Sequence, residues 1–381
     1  MRKIVVFGST GSIGKNVLAC LEEQRSNLSI YGLCANKDIK TLYSQIKKFH
    51  PRCVCVRDEK KAKELKKNLP KKIKLFKGEK GLEEFVSLKS DISFMAISGI
   101  SCLRPLIMNL SNTKRIALAN KESMVVAGNF ILKKAKKCNT EIIPLDSEIN
   151  ALFQLLKKEN KNDIEEIYLT ASGGPLFNLK KNLKKITLKD VLSHPTWRMG
   201  KRITVDCATL LNKGLEVIEV KRYFCFSLEK IKVVIHRESK VHAIVKYKDG
   251  HLFACLYPAD MKFPIWFSLH YPKRISFGER EFFKNNFSLS FLPLKLKDFP
   301  LFRIMLEAER RKDNALVVLN ACDEISIDYF LKGKIEFHHL YKVMDYIFSN
   351  YPSFKIKNIE EVFFWDDWAR RKTKEFLDKL C

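Results

Sequence analysis

Lys3-Ile4-Val5-Val6-Phe7-Gly8-Ser9-Thr10-Gly11-Ser12-Ile13-Gly14 opens the chain as a short apolar strand, a glycine loop and the first turn of a helical run that continues from Asn16 to Glu23. Strand, glycine loop and helix is the setting a dinucleotide site needs. Glycines allow a tight turn and close approach of backbone to a pyrophosphate, and the helix N-terminus supplies N–H donors. The spacing, Gly8-x-x-Gly11-x-x-Gly14, is a variant of the commoner fingerprint. The next strand, Leu28 to Cys34, runs into Ala35-Asn36-Lys37. An NAD site places an acid here for the ribose 2′-hydroxyl. An amide and a cation suit a 2′-phosphate instead, so NADP(H) is favoured over NAD(H), although a plain polar turn reads the same way.

Alternation continues outward from that stretch. Strands are expected near 53–56, 73–76, 91–97, 115–119 and 140–144, with helices over 58–69, 79–87 and 101–110 between them. Such alternation argues an α/β fold with a doubly wound parallel sheet, whose ligands bind at the carboxyl ends of the strands. Asn120-Lys121-Glu122 and Asp146-Ser147-Glu148 both fall at such ends. Asp146 and Glu148, two apart in an extended segment, project to one side. Like charges so placed call for a cation, and all-oxygen ligation suits Mg²⁺ or Mn²⁺. The same triplet also makes a good helix N-cap before Asn150-Ala151-Leu152.

Residues 165–172 read as a strand entering Ser172-Gly173-Gly174-Pro175, a small-residue turn that either nests a phosphate or merely reverses the chain. Residues 194–200, His194-Pro-Thr-Trp197-Arg-Met-Gly200, read as an exposed loop. Asn212-Lys213-Gly214-Leu215-Glu216 starts a helix with Lys213 and Glu216 on one face. These residues either aim a cation and a carboxylate into a cleft or form a solvated pair on an amphipathic helix. Strands at 231–236, 241–247 and 251–256 follow, the last two joined at Asp249-Gly250. His236, His242, His251 and His270 in this part are read as structural. The boundaries expected are 1–146 for a cofactor domain, 147–271 for a catalytic domain with a lid at 193–202, a proline-bearing arm at 272–300, and C-terminal helices from 301 to 381. Those helices are placed at 301–312, 314–321, 323–332, 336–349 and 366–380, with Glu360-Glu361 and Asp366-Asp367 on solvated faces.

Composition narrows the classes. Lys+Arg of 70 against Asp+Glu of 43 gives a net charge of +27. The lysines are dispersed, with no recognition helix or aromatic–basic platform, so the reading is no nucleic acid and a surface that attracts small phosphorylated anions. No apolar run reaches membrane-spanning length, so no membrane partner is expected. Eleven scattered cysteines without a Cys-x-x-Cys argue for reduced thiols rather than zinc or disulfides. The strand at the very N-terminus leaves no targeting segment, and a cytoplasmic location is expected.

Six motifs occur in a definite order: Gly8-Ser-Thr-Gly-Ser-Ile-Gly14, Leu118-Ala-Asn-Lys-Glu-Ser123, Asp146-Ser-Glu148, Ser172-Gly-Gly-Pro175, His194-Pro-x-Trp197-x-Met-Gly200 and Asn212-Lys-Gly-Leu-Glu216. Together with Pro258-Ala-Asp-Met261 and Leu319-Asn-Ala-Cys-Asp-Glu324, they make the whole chain resemble the 1-deoxy-D-xylulose 5-phosphate reductoisomerase family. The resemblance implies a homodimer with an NADPH domain, a catalytic domain and a C-terminal helical domain. It implies rearrangement of the phosphorylated ketose on a divalent ion, then reduction by NADPH to 2-C-methyl-D-erythritol 4-phosphate. Gly8, Thr10, Gly11, Ser12 and Ile13 would then hold the pyrophosphate, Asn36 and Lys37 the 2′-phosphate, and Asn120, Glu122 and Gly200 the rest of the cofactor. Asp146, Glu148 and Glu216 would bind the metal. Lys121, Ser147 and Glu148 would meet the reacting end of the substrate, and Ser172, His194, Cys207, Asn212 and Lys213 its phosphate. Trp197 would close over it.

The chain departs from that pattern in four places. Cys207 replaces a serine that donates to the phosphate, and a thiol donates weakly. Ile149 replaces a histidine, Arg237 a proline after His236, and Asp38 an asparagine near the cofactor. Two rival readings are another NADP-dependent dehydrogenase, such as a homoserine-dehydrogenase-like one, and a non-catalytic basic nucleotide binder. Neither needs three acidic ligands and a tryptophan lid.

Overall fold

The computed structural model describes residues 2–23, 28–177, 179, 182–278, 282 and 288–380. They fall into two compact units, Met1–Ser123 with Ile131–Asn150 and Asp260–Arg280, and Met124–Phe130 with Ala151–Ala259 and Glu281–Cys381.

The first unit is built on seven strands: β1 (Arg2–Phe7), β2 (Leu28–Ala35), β3 (Cys53–Val56), β4 (Lys74–Lys77), β5 (Ser90–Met95), β6 (Thr113–Leu118) and β7 (Glu141–Pro144). They lie in the order β4-β3-β2-β1-β5-β6-β7, every pairing parallel. Ile4, Val5, Val6 and Phe7 are all buried, as a central parallel strand covered on both faces requires. The strand order reverses between β1 and β5, and this switch point sets a crevice at their carboxyl ends. The expected doubly wound fold is therefore present. The Lys262–His270 helix adds Ile265, Trp266 and Leu269 to the same core, and the Arg2 guanidinium donates to the Leu269 carbonyl at 3.1 Å.

The second unit carries a mixed sheet of β8 (Ile164–Ala171), β9 (Ile231–Ile235), β10 (Val241–Tyr247), β11 (Leu252–Leu256) and β12 (Leu292–Pro293), in the order β11-β10-β8-β9-β12. The Leu211–Phe224 helix is buried without a break from Leu211 to Val220. It is not the amphipathic surface helix its spacing allows. Gly214 explains how closely it is packed: a Cβ there would meet the Met305 Cβ of the Pro300–Arg311 helix at 2.8 Å.

Two expectations for the C-terminal helices change. A single helix, Ala315–Leu331, replaces the pair expected to break at residue 322. Cys322 is fully buried, and its carbonyl accepts the Ser326 hydroxyl within an unbroken turn. The last helix begins at Ile359 instead of 366, because the Asn358 side chain accepts from Glu361 N at 2.9 Å and caps it there. That start turns Asp366 inward. It is buried and paired with Arg370 at 2.6 Å, not on a solvated face. Residues 279–281 and 283–287 of the expected arm lie outside the described residues. Among the described residues, no helix is long and apolar enough to cross a membrane.

Candidate active site

The expected site residues are divided between the two units. In the first, Gly8 follows β1 with φ of +78°, and a Cβ there would sit 2.4 Å from the Ala96 carbonyl oxygen. Gly14 is as tightly held, since its Cβ would meet the Gly8 carbonyl oxygen at 2.3 Å. Both positions exclude a side chain. Gly8 N and Ser9 N donate to the Cys34 carbonyl, each at 2.9 Å, so the loop is tied to the end of β2. Gln45 holds it from the other side: its amide donates to Ser9 O at 2.8 Å and its oxygen accepts the Ser9 hydroxyl at 2.8 Å. No motif announced Gln45. Gly11 and Ser12 are exposed at the start of the Ser12–Glu23 helix, beside half-buried Thr10 and Ile13. No acidic residue occupies that helix's first turn, so nothing there opposes an anion.

Asn36 and Lys37 stand exposed beyond the end of β2. Asp38 caps the Ile39–Phe49 helix by accepting from Thr41 N at 3.0 Å. That hydrogen bond keeps its carboxyl below the ordinary range. The departure at Asp38 is thus engaged by the helix. Asn120 is buried at the start of the Lys121–Cys138 helix, where its oxygen accepts from Ser123 N and its amide donates to Ile97 O, Gly99 O and Glu122. Glu122 also accepts from Gly99 N at 3.0 Å. These two residues brace the turn after β5.

At the end of β7, Asp146 precedes the Ser147–Leu155 helix and its Oδ1 accepts from Glu148 N at 3.2 Å. Its Oδ2 lies 2.7 Å from the Lys121 ammonium. Cap and charged site therefore coexist on one carboxylate. Ser147 donates to Glu148, and both occupy the first turn of the helix, so helical geometry replaces the extended alternation expected for Asp146 and Glu148. Ile149, in the place of a histidine, is fully buried in the core.

In the second unit, Gly173 and Gly174 follow β8 with φ of +79° and +74°, a conformation costly for any other residue. A Cβ on Gly174 would lie 2.3 Å from the Cys207 carbonyl oxygen, so this turn rests on the end of the Lys201–Ala208 helix. The half-buried Cys207 is therefore beside the turn. Ser172 Oγ accepts from Gly174 N at 3.1 Å and lies 3.0 Å from His194 Nε2. His194 Nδ1 accepts from Thr196 N and Trp197 N, at 3.3 and 3.0 Å, which assigns its proton to Nε2. Burial, with the Arg237 charge adding, pushes the His194 pKa down to about 4, so the ring is neutral. It donates to Ser172, whose own proton neither of these two contacts uses.

The loop that follows is anchored by Thr196 to Ser239 at 3.2 Å, and the Trp197 ring meets the His242 ring edge-on at 6.0 Å. Gly200 is exposed and opens the Lys201–Ala208 helix. On the buried helix, Asn212 donates to Glu216 at 2.6 Å and Lys213 is paired with the same carboxylate. Side-chain exposures of 5% for Lys213 and 1% for Glu216 rule out the solvated pair. Of the other histidines, His236 is buried and accepts from Lys240 N and Val241 N, and His242 stacks on Tyr257, while His251 is exposed.

Three family profiles match the chain in order: 1-deoxy-D-xylulose 5-phosphate reductoisomerase over residues 4–128, its C-terminal domain over 142–224, and the DXP reductoisomerase C-terminal domain over 256–372. The chain belongs to the 1-deoxy-D-xylulose 5-phosphate reductoisomerase family. The reductoisomerase of Thermoanaerobacter sp. (strain X514) is 38% identical over 375 residues, 98% of each chain. A crystal structure of DOX-P reductoisomerase in complex with NADPH, fosmidomycin and magnesium matches with a TM-score of 0.92 at 30% identity, covering 100% of this chain and 99% of that one. The Zymomonas mobilis reductoisomerase in complex with NADPH matches with a TM-score of 0.88 at 30% identity, over 99% of each chain. The enzyme class and activity expected from the ordered motifs are thus the family's own, and the two rival readings fall away.

Proposed function

We propose that the chain's residues divide the conversion of 1-deoxy-D-xylulose 5-phosphate to 2-C-methyl-D-erythritol 4-phosphate into three tasks. The first is cofactor binding, by Gly8, Thr10, Gly11, Ser12, Ile13, Asn36, Lys37, Asn120 and Glu122 within a cofactor domain of residues 1–146, and by Gly200 outside it. Gly8 and Gly14 support this, since each lets backbone pack against backbone where a Cβ would clash, which is how a dinucleotide loop closes tightly on its helix. The second is the reacting centre. Asp146, Glu148 and Glu216 would supply all-carboxylate ligation of the kind Mg²⁺ or Mn²⁺ takes, with Lys121 beside Asp146 and Lys213 beside Glu216. When bound, the ion supplies Lewis acidity at the ketone and NADPH supplies the hydride. Lys121 donates to substrate oxygens that gain negative charge, and the Ser147 oxygen, its proton given to Glu148, accepts from a substrate hydroxyl. The third task is anchoring. Ser172, His194, Cys207, Asn212 and Lys213 hold the phosphate, and Trp197 excludes water over it.

The buried Asn212-Lys213-Glu216 group carries this reading. A buried ion pair brings little net stability against apolar residues of similar size, so its place in the continuously buried stretch Leu211 to Val220 points to chemistry. Metal-dependent oxidation of NADPH in the presence of the phosphorylated ketose is the test, and no turnover with either Mg²⁺ or Mn²⁺ would refute it.

The active form we propose is a homodimer in the cytoplasm. The edge strand β11 supports the dimer, because Leu252 and Phe253 are 61% and 57% exposed on a strand with an unpaired edge. Among the described residues no cysteine is in a disulfide, as suits a reducing compartment. A monomer in sedimentation equilibrium at assay concentrations would count against the dimer.

A further inference from the structure

Arg237 follows the buried His236 in the turn between β9 and β10. Its Nη1 donates to the carbonyl oxygens of Ser172 at 2.6 Å and Gly174 at 2.9 Å, bridging both ends of the Ser-Gly-Gly turn. The guanidinium carbon lies 5.3 Å from the centre of the Phe177 ring. Nε and Nη2 have no acceptor among the described residues. The neighbouring Glu238 carboxylate takes no hydrogen bond from it, being turned to Ser290 Oγ at 2.6 Å and His236 Nδ1 at 3.0 Å, although its charge still acts on the guanidinium. A positive charge with spare donors is therefore fixed against the Ser172–Gly174 turn.

We propose that Arg237 is a substrate-phosphate residue of this chain: Nη1 braces the Ser172–Gly174 turn, and the remaining guanidinium donors take a phosphate oxygen. A proline at this position offers neither function. The guanidinium fork suits phosphate geometry and stays charged at every working pH. It also makes up for Cys207, whose thiol donates more weakly than a hydroxyl. The inference rests on reading the Ser172 turn as the phosphate site.

The test compares the parent with Arg237→Met and Arg237→Lys, using the phosphorylated ketose in steady state, inorganic phosphate as competitive inhibitor, and NADPH by fluorescence titration. Loss of one charge-assisted contact predicts that Arg237→Met raises the substrate KM and the phosphate inhibition constant about tenfold, with the effect mainly on KM. NADPH affinity stays at the parent value, the dependence of kcat/KM on ionic strength flattens, and Arg237→Lys recovers much of the phosphate affinity. The His194 titration midpoint in Arg237→Met, followed by NMR, should rise as the nearby charge is removed. If both constants stay within about twofold, or if substrate and NADPH affinity fall together with Tm and lysine does not rescue them, the proposal is overturned. Should Arg237→Met not fold, Arg237→Lys decides alone, because a loss of phosphate affinity as large as the tenfold predicted for methionine would show that charge is not what matters. A parent without metal-dependent turnover refutes the site reading itself, whereas an active parent with an indifferent Arg237→Met refutes only the role of Arg237.

Discussion

The Lys121 ammonium lies 2.7 Å from Asp146 Oδ2, and the two side chains are only 7% and 11% exposed. Asp146 also caps the helix that carries Glu148. Its charge and its hydrogen-bonding shape can therefore be separated by experiment. Asp146→Asn keeps an acceptor for the cap and removes the charge. Metal-dependent turnover should fall by more than about 100-fold, since even residues behind a ligand typically cost 10–100-fold when removed. NADPH binding and the circular dichroism spectrum should be retained. Turnover near the parent value at limiting Mg²⁺ would remove Asp146 from the ligand set.

Cofactor preference should follow Lys37. With Asp38 engaged by Thr41 N, the exposed edge beyond β2 is left to Asn36 and Lys37. Reversing the charge with Lys37→Glu should weaken NADPH by about 2 kcal/mol, or ~30-fold, and leave NADH little changed. Equal kcat/KM for the two cofactors in the parent would contradict this.

His194 should not titrate across the working range. Its pKa is held down to about 4 by burial and then by Arg237. A lowered folded pKa means that the unfolded chain binds the proton more readily. The stability linked to His194 is therefore complete above the unfolded value near 6.5 and is lost as pH falls toward about 4. Substrate affinity should show no imidazole step between about pH 5.5 and 8. An NMR midpoint for His194 near its ordinary value would contradict the neutral, Ser172-donating ring.

Cys207 lies close enough to matter. Its carbonyl is the atom that a Cβ on Gly174 would strike, so its helix end backs the Ser172–Gly174 turn. Cys207→Ser should raise affinity for the phosphorylated ketose, or for a phosphonate mimic, by about 1 kcal/mol, roughly fivefold, the thiol and water already supplying part of a charged hydrogen bond. NADPH affinity should not move. Unchanged ketose affinity would mean that the Cys207 side chain does not reach the phosphate.

The sequence by itself determined the parts of this protein that depend on neighbours along the chain. Strand, glycine loop and helix at residues 3–23 follow from local geometry, and the repeated β/α alternation follows from hydrophobic period, so the doubly wound sheet was legible without coordinates. The ordered motifs likewise named the chemistry. Burial was not legible, because it is set by segments far away in sequence. Lys213 and Glu216 have the spacing of a solvated helical pair, and only the Pro300–Arg311 helix closing on Gly214 shows that their helix is inside. Asp366 reads as a surface acid until Arg370 and the helix start at Ile359 turn it inward. Gln45 has no local signature at all, and Arg237 shows only as a departure from a family pattern, with nothing to say what it holds. Each acts by hydrogen bonds to a backbone turn more than thirty residues away, and such partners are chosen by the fold and not by spacing.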